Sequence, residues 1–349
     1  MIRGRSSGLL AGAILAGSVL LLGLALWLAS GSGDEPGRDT GTRFLADMRE
    51  KVNDLESIHV IAPGGERAVT LRRSADRWHV RERDDYEADF ATVRGLLRAL
   101  AEARIIEPRT TNPDWYPRLG VENIDAPDAG GLVLRFPDTD LPGVIVGAPD
   151  NPRGGHNVRR EGEDQVWLID RILDAEDHPV GWLERSVMDI PHGEMDKVVV
   201  RHPDGSVIQI NSTGLPDTPF VLRRMPEGYQ LRGSWLVTDL ADGLASIRME
   251  DVRPHDQVPS DAVRALFTTL DGLNFIASVF ADDDGYWVHF RVSAESPAAG
   301  DDDELEEGNS DRLAGAVAVD ARLSPWQYRI TEEKFDQLTM RLEDLLISE

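Results

Sequence analysis

Ile58-His59-Val60-Ile61-Ala62-Pro63-Gly64-Gly65 and Val198-Val199-Val200-Arg201-His202-Pro203-Asp204-Gly205 state the same strand and turn twice in one chain, 140 residues apart. Branched apolar residues favour an extended strand, and Pro-Gly or Asp-Gly chemistry favours a tight turn. Working outward from the first copy, Val69 to Leu71 and Trp78 to Val80 read as further strands. Asp89 then offers an N-cap to a helix that carries Phe90, Val93, Leu96, Leu97 and Leu100 on one face. The helix also recurs, with Val93, Leu96 and Leu100 matching Val237, Leu240 and Leu244 at an offset of 144. Upstream, Phe44, Leu45, Met48, Val52 and Leu55 have the spacing of a short lead-in helix.

The later parts of the two copies are matched by residue strings. Leu132 to Phe136 pairs with Ile276 to Phe280 at 144, and Gly143 to Val146 with Gly285 to Val288 at 142. Trp167 pairs with Trp326 at 159, and the 17 extra residues are assigned to an acidic insertion at 295–312. Asp301 to Asp311 holds seven acidic residues and no base, which reads as a disordered insertion. A C-terminal helix capped by Thr331 is expected to bury Phe335, Leu338, Leu342, Leu345 and Leu346. The expected fold class is α+β: an N-terminal transmembrane helix, then two tandem copies of a mostly antiparallel sheet with a packed helix. The expected divisions are 1–30 for the cytoplasmic tip and membrane helix and 31–43 for a flexible stalk. Residues 44–184 form the first copy and 185–349 the second.

Placement follows from the first thirty residues. Leu9 to Ala29 is 21 residues without a charge, enough at about 1.5 Å per residue to cross a hydrocarbon core of roughly 30 Å. Arg3 and Arg5 precede it, whereas Asp34, Glu35 and Asp39 dilute Arg38 and Arg43 after it, so the N-terminus is expected in the cytoplasm and the rest outside. A cleaved signal peptide is the competing reading, but its apolar core normally runs only about 7 to 15 residues. The expected location is a bacterial inner membrane, single-pass, with a periplasmic or otherwise extracytoplasmic C-terminal domain.

The 62 acidic and 37 basic residues leave a net charge of −25, which repels phosphate backbones and argues against nucleic acid as a partner. Zero cysteines exclude disulfides, thiolate metal sites and a cysteine nucleophile. Arg232-Gly233-Ser234-Trp235 lacks the second glycine of a nucleophile elbow, and His192-Gly193-Glu194-Met195-Asp196 lacks the spacing of a zinc protease helix. Asp282-Asp283-Asp284-Gly285 reads as a solvated hairpin tip rather than a calcium loop. Gly147 to Asn157 reads as a loop between strands rather than a backbone nest with Arg153, and Arg153 is kept as a candidate partner-binding residue. Trp115 and Tyr116, in the Pro113 to Pro117 loop, are the candidate partner-binding aromatics, weighed against packing over a core edge. No catalytic residue, cofactor or metal is called for.

Trp78, Leu119-Gly120-Val121-Glu122, Val144-Ile145-Val146-Gly147, Val158-Arg159, Val166-Trp167-Leu168-Ile169 and Trp182-Leu183-Glu184-Arg185 followed by Asp189-Ile190 carry a resemblance. Over most of Asp76 to His202 the chain resembles the bacterial domain-of-unknown-function family 4340, and the second copy looks like a divergent form. Asn157 stands where that family often has an aromatic residue. The resemblance implies a membrane-anchored extracytoplasmic domain often found beside ABC-type export or gliding-motility components, with no catalytic residues to carry over. The expected function is accordingly a non-enzymatic accessory or scaffold protein associated with an ABC-type permease complex. The alternatives are a cell-envelope glycan hydrolase using two carboxylates or an envelope-polymer binding module.

Overall fold

The computed structural model describes residues 41–217, 219–294 and 303–348. The expected membrane span Leu9–Ala29 and nearly all of the stalk lie outside the described residues. Among the described residues no helix is long and apolar enough to cross a membrane.

The chain forms a sheet-rich, mostly antiparallel α+β structure. After α1 (Met48–Lys51), β1 (Ser57–Ile61), β2 (Arg67–Ser74), β3 (Arg77–Val80) and β4 (Tyr86–Glu87) run as a meander into α2 (Phe90–Glu102). The chain then lays down β5 (Ile105–Pro108), α3 (Tyr116–Leu119), β6 (Leu132–Arg135), β7 (Val144–Asp150), β8 (Gly155–Arg160) and β9 (Val166–Ile169). These strands join as β4-β3-β2-β1-β6-β7-β8-β9-β5. The Pro63 turn works because Gly64 and Gly65 take φ of +85° and +80°, a region closed to most side chains.

Beyond β10 (Ser186–Met188) the order returns. It runs β11 (Met195–Arg201), β12 (Val207–Ser212), β13 (Phe220–Leu222), β14 (Tyr229–Leu231), α4 (Ser234–Ala241), β15 (Ile247–Arg248) and β16 (Asp251–Pro254). β17 (Val263–Thr269), β18 (Leu273–Asp282), β19 (Gly285–Ala294), α5 (Asp303–Leu323), β20 (Trp326–Ile330), α6 (Glu332–Leu338), α7 (Leu342–Leu345) and β21 (Leu346–Ser348) complete the chain. The second sheet is ordered β13-β12-β11-β17-β18-β19-β20-β16. In both sheets the strand opening the unit sits in the interior, with its hairpin partner (β2, β12) on one side and a strand from beyond the helix (β6, β17) on the other. β5 and β16, which precede β6 and β17 in the chain, lie at the far edges, while β15 pairs with β10 in a separate two-stranded ribbon.

Pairing registers correct three expected matches. Val60 faces Leu134 and Val200 faces Ala265, so β6 corresponds to β17 rather than to the Ile276–Phe280 stretch of β18. Continuing across the ladders, Val146 corresponds to Val279 and Val158 to Val288, so Gly143 to Val146 has its counterpart in β18 and not at Gly285 to Val288. Trp167 stands where Tyr328 stands, two residues from the expected Trp326. The acidic insertion is also corrected: from Asp303 onward it is helix, not a disordered loop. Its later turns bury Ala316 and Leu323, and Asp320 accepts from Val292 N–H at 2.7 Å on β19. The C-terminal helix begins at its expected cap, with Thr331 Oγ1 accepting from Lys334 N–H, but breaks after Leu338. The chain resumes as α7 and then a strand, so Leu346 is buried from β21 rather than from a helix.

The core confirms the helix reading at residue level. Val93, Leu96 and Leu100 are 0–1% exposed, as are Val237, Leu240 and Leu244. Phe90 is the exception, 56% exposed on the helix flank. All six buried residues belong to one hydrophobic cluster that runs through both halves. Tyr86 meets Trp326 edge-on with ring centroids 5.0 Å apart. Arg83 grips Asp251 with two hydrogen bonds of 2.6 and 3.0 Å. A smaller cluster on the opposite face of the first sheet is covered by the 109–131 segment, with Tyr116 and Val121 over Val133, Ile145 and Val166.

Candidate functional site

The resemblance-bearing residues are mostly architectural. Gly120 ends α3 at φ +66°, and a side chain on Gly131 would put its Cβ 2.3 Å from the carbonyls of Gly120 and Val146. The Leu119-Gly120-Val121 and Val146-Gly147 pairings therefore let the 109–131 segment lie directly on the sheet backbone. Asn157 is 4% exposed and donates to the Ala148 carbonyl at 2.9 Å. The departure from an aromatic at that position thus falls in the interior, not on a surface.

The expected partner-binding residues separate. Trp115 is 50% exposed, with the Arg118 guanidinium 4.4 Å over its ring. Tyr116 is buried and donates its hydroxyl to the Asp164 carbonyl at 2.6 Å, so it packs a core edge. Arg153 sits at the turn between β7 and β8 and pairs with Glu107, which also holds Arg109 at 2.8 Å. Among the described residues, no hydrogen bond, ion pair or ring contact joins Arg153 to either aromatic.

Helix α2 instead organises two grooves. Asp89 accepts from Ala91 and Thr92 N–H at 2.7 and 3.0 Å, fixing the first turn. The Val93–Leu96–Leu100 face seats the helix on the sheet, which leaves a flank open on each side. On one flank, Ala91, Thr92, Gly95 and the Leu173–Gly181 segment bound a groove of about 800 Å³. Its rim carries Asp174, Glu176 and Asp177, none of them in an ion pair among the described residues. His156 lies in its wall. The imidazole Nδ1 accepts from Leu173 N–H at 2.9 Å, which places the ring proton on Nε2.

The same flank is open in the second half. Trp235, Leu236 and Asp239, at the positions matching Ala91, Thr92 and Gly95, line a groove of about 1140 Å³ with the segment that follows β20. It too is rich in carboxylates, including Asp239, Asp242, Glu333 and Asp336. Lys334 donates to the Ala245 carbonyl at 3.0 Å, and burial lowers its pKa. Burial likewise raises the pKa of Asp239. Behind Asp242, His192 Nδ1 lies 2.9 Å from both oxygens of that carboxylate. That carboxylate also accepts from His192 N–H at 2.8 Å, and the nearby Ser246 hydroxyl is held by Asp189 rather than by the histidine. The pair is a local tie, not a primed nucleophile.

The other flank of α2 is basic. Phe90, Arg94, Leu97, Arg98 and Ala101 form one side of a groove of about 780 Å³, facing Arg43, Arg49 and Val52 and the Arg73–Trp78 hairpin, with Arg104 and Arg171 at the end. Glu102 holds Arg98 at 3.0 Å and Arg171 at 3.6 Å, and Arg98 holds the Glu102 carboxyl below the usual range. Arg43, Arg49 and Arg94 have no carboxylate partner among the described residues. Seven arginines thus meet in a chain whose net charge is −25. Sequence reading missed this site because its residues come from four separate segments. The available signal was Phe90, Arg94 and Arg98 at i, i+4 and i+8 on the exposed flank. Among the described residues no group of three or more metal-ligating side chains occurs.

Residues 78–266, more than half of the chain, match the family described as Domain of unknown function (DUF4340), and the chain belongs to that family. No curated protein and no solved structure matches it.

A pH dependence follows from the buried imidazoles. Burial lowers the pKa of His156, and of His289, whose ring stacks on His255 at 3.7 Å. A depressed native pKa means that the unfolded chain takes the proton first. Stability present above the unfolded value of about 6.5 is therefore lost as pH falls toward the native values. Urea midpoints should drop between neutral and mildly acidic pH. His156→Asn keeps an acceptor for Leu173 N–H but cannot titrate, so it should show a shallower drop. An equal drop would remove His156 from the account.

Proposed function

We propose that the chain is a non-enzymatic, membrane-anchored, extracytoplasmic scaffold, built by tandem duplication of one α+β unit, that holds a protein partner. The observation that supports this most is the pair of carboxylate-lined grooves at matching positions beside α2 and α4. One continuous core fixes the two halves to each other, so the grooves form a rigid, repeated acidic surface suited to basic segments of one partner. An ABC-type permease complex is the partner class that the family resemblance suggests.

The full chain should be purified from its native membrane in mild detergent, with and without Asp174→Lys, Glu176→Lys and Asp177→Lys. A membrane protein recovered in constant ratio should be lost from the triple variant while the scaffold stays folded and membrane-bound. Unchanged recovery would defeat the groove assignment. Protease added to spheroplasts should digest the domain from outside, and protection until lysis would defeat the anchored topology.

A further inference from the structure

We propose that the arginine groove beside α2 docks onto anionic phospholipid headgroups of the membrane to which the chain is tethered, and so orients the whole protein; this rests on the anchored reading above and not on the partner reading. Three observations converge. The first is charge: the arginines are gathered on one flank of an acidic molecule. An anionic bilayer repels most of this surface and attracts that flank, which gives the tethered domain one favoured face.

The second is chemistry. The floor is apolar, with Trp78 and Leu97 nearly buried beneath the guanidinium groups, and Phe90 stands at the rim 56% exposed. Guanidinium forks match phosphate oxygens bidentately, and a rim aromatic suits the boundary between headgroups and acyl chains. An acidic protein surface would use the arginines but not the exposed phenylalanine over an apolar floor.

The third is where the chain enters. The first described residue, Gly41, offers its carbonyl to Arg104 Nη1 at 2.8 Å, so the tether joins the fold at this groove. Gly41 is 12 residues beyond the end of the apolar run at Ala29, a span that reaches at most about 40 Å when extended. The groove is therefore held near the bilayer. Arg98 and Arg171 are engaged by Glu102 and Arg104 by the Gly41 carbonyl, but Arg43, Arg49 and Arg94 have no carboxylate partner among the described residues.

The absence of cysteine allows a single-label test on the full chain. A fluorophore on Ala46→Cys reports the groove side, and one on Val317→Cys, 69% exposed on α5 against the second sheet, serves as the reference. Each protein is reconstituted into vesicles of phosphatidylcholine alone, or of phosphatidylcholine with phosphatidylglycerol, containing a nitroxide-labelled lipid as quencher. Phosphatidylglycerol should increase quenching at position 46 well beyond that at 317, and high salt should reverse the difference. Arg49→Gln with Arg94→Gln changes only exposed side chains and should weaken docking by roughly fivefold per arginine. Quenching indifferent to phosphatidylglycerol, or unaltered in the double variant, overturns the proposal. So does a double variant that loses a co-purifying protein while its lipid response is intact, because the groove is then a protein site. If the chain fails to float even with neutral vesicles, it is the anchored reading that has failed.

Discussion

Truncating Leu96 or Leu240 to alanine is expected to destabilise the protein by about 2 to 5 kcal/mol in each case, the range for a buried leucine whose cavity cannot fully collapse. The two side chains are 1% and 0% exposed at matching positions of α2 and α4. Each helix is held down mainly by that face, so its loss strips contacts from helix and sheet together. The common core adds a sharper expectation. Because the buried residues of both halves form one cluster, either variant should lower a single cooperative urea transition rather than split it. Two transitions, with Leu96→Ala moving one and Leu240→Ala the other, would show that the halves unfold independently. A cost below about 1 kcal/mol for either would mean that the leucine is not packed as described.

The elements legible in the sequence were those with local causes. Asp89 caps a helix because its carboxylate reaches Ala91 and Thr92 N–H, and the Val93–Leu96–Leu100 spacing must face a sheet whichever strands compose it. The Pro63 and Pro203 turns are equally local. What failed was register carried forward at a nearly constant offset. Between β5 and β6 the first half inserts a segment that crosses the sheet and covers its second face, whereas β16 and β17 are joined by a short link. Surface insertions of this kind cost little loop-closure entropy, so nothing in the flanking strands records them, and similar strings were matched one strand out of place. The acidic segment misled for a different reason. A run of carboxylates that cannot form a core is also what the positive end of a helix favours, and only the burial of Ala316 and Leu323 further on decides between the two. The grooves were illegible because each gathers side chains from distant segments, while Trp115 and Tyr116 drew attention by residue type alone. Type could not tell that one is exposed and the other lies in a core edge.

Arg159→Ala is expected to cost about 3 to 5 kcal/mol, since it would leave several buried acceptors without donors at roughly 1 to 3 kcal/mol each, offset in part by water that reaches the outer ones. Arg159 is 3% exposed on β8 and has no carboxylate partner among the described residues. Its Nε donates to the Val121 carbonyl at 3.0 Å, Nη1 to the Glu163 carbonyl at 2.9 Å and Nη2 to Asn123 Oδ1 at 2.8 Å. The guanidinium also lies 4.6 Å over the Tyr116 ring. One planar fork thus fastens the covering 109–131 segment to the β8–β9 turn, and the small cluster beneath depends on that cover. A lysine presents a compact ammonium that cannot span three divergent acceptors, so Arg159→Lys should recover less than half of the loss. Asn123→Ala removes one acceptor and should cost about 1 kcal/mol. Urea denaturation of the three variants separates this account from a generic surface role: near-equal, small effects for alanine and lysine at position 159 would show that water already satisfies the carbonyls, and that the segment is held by its apolar contacts alone.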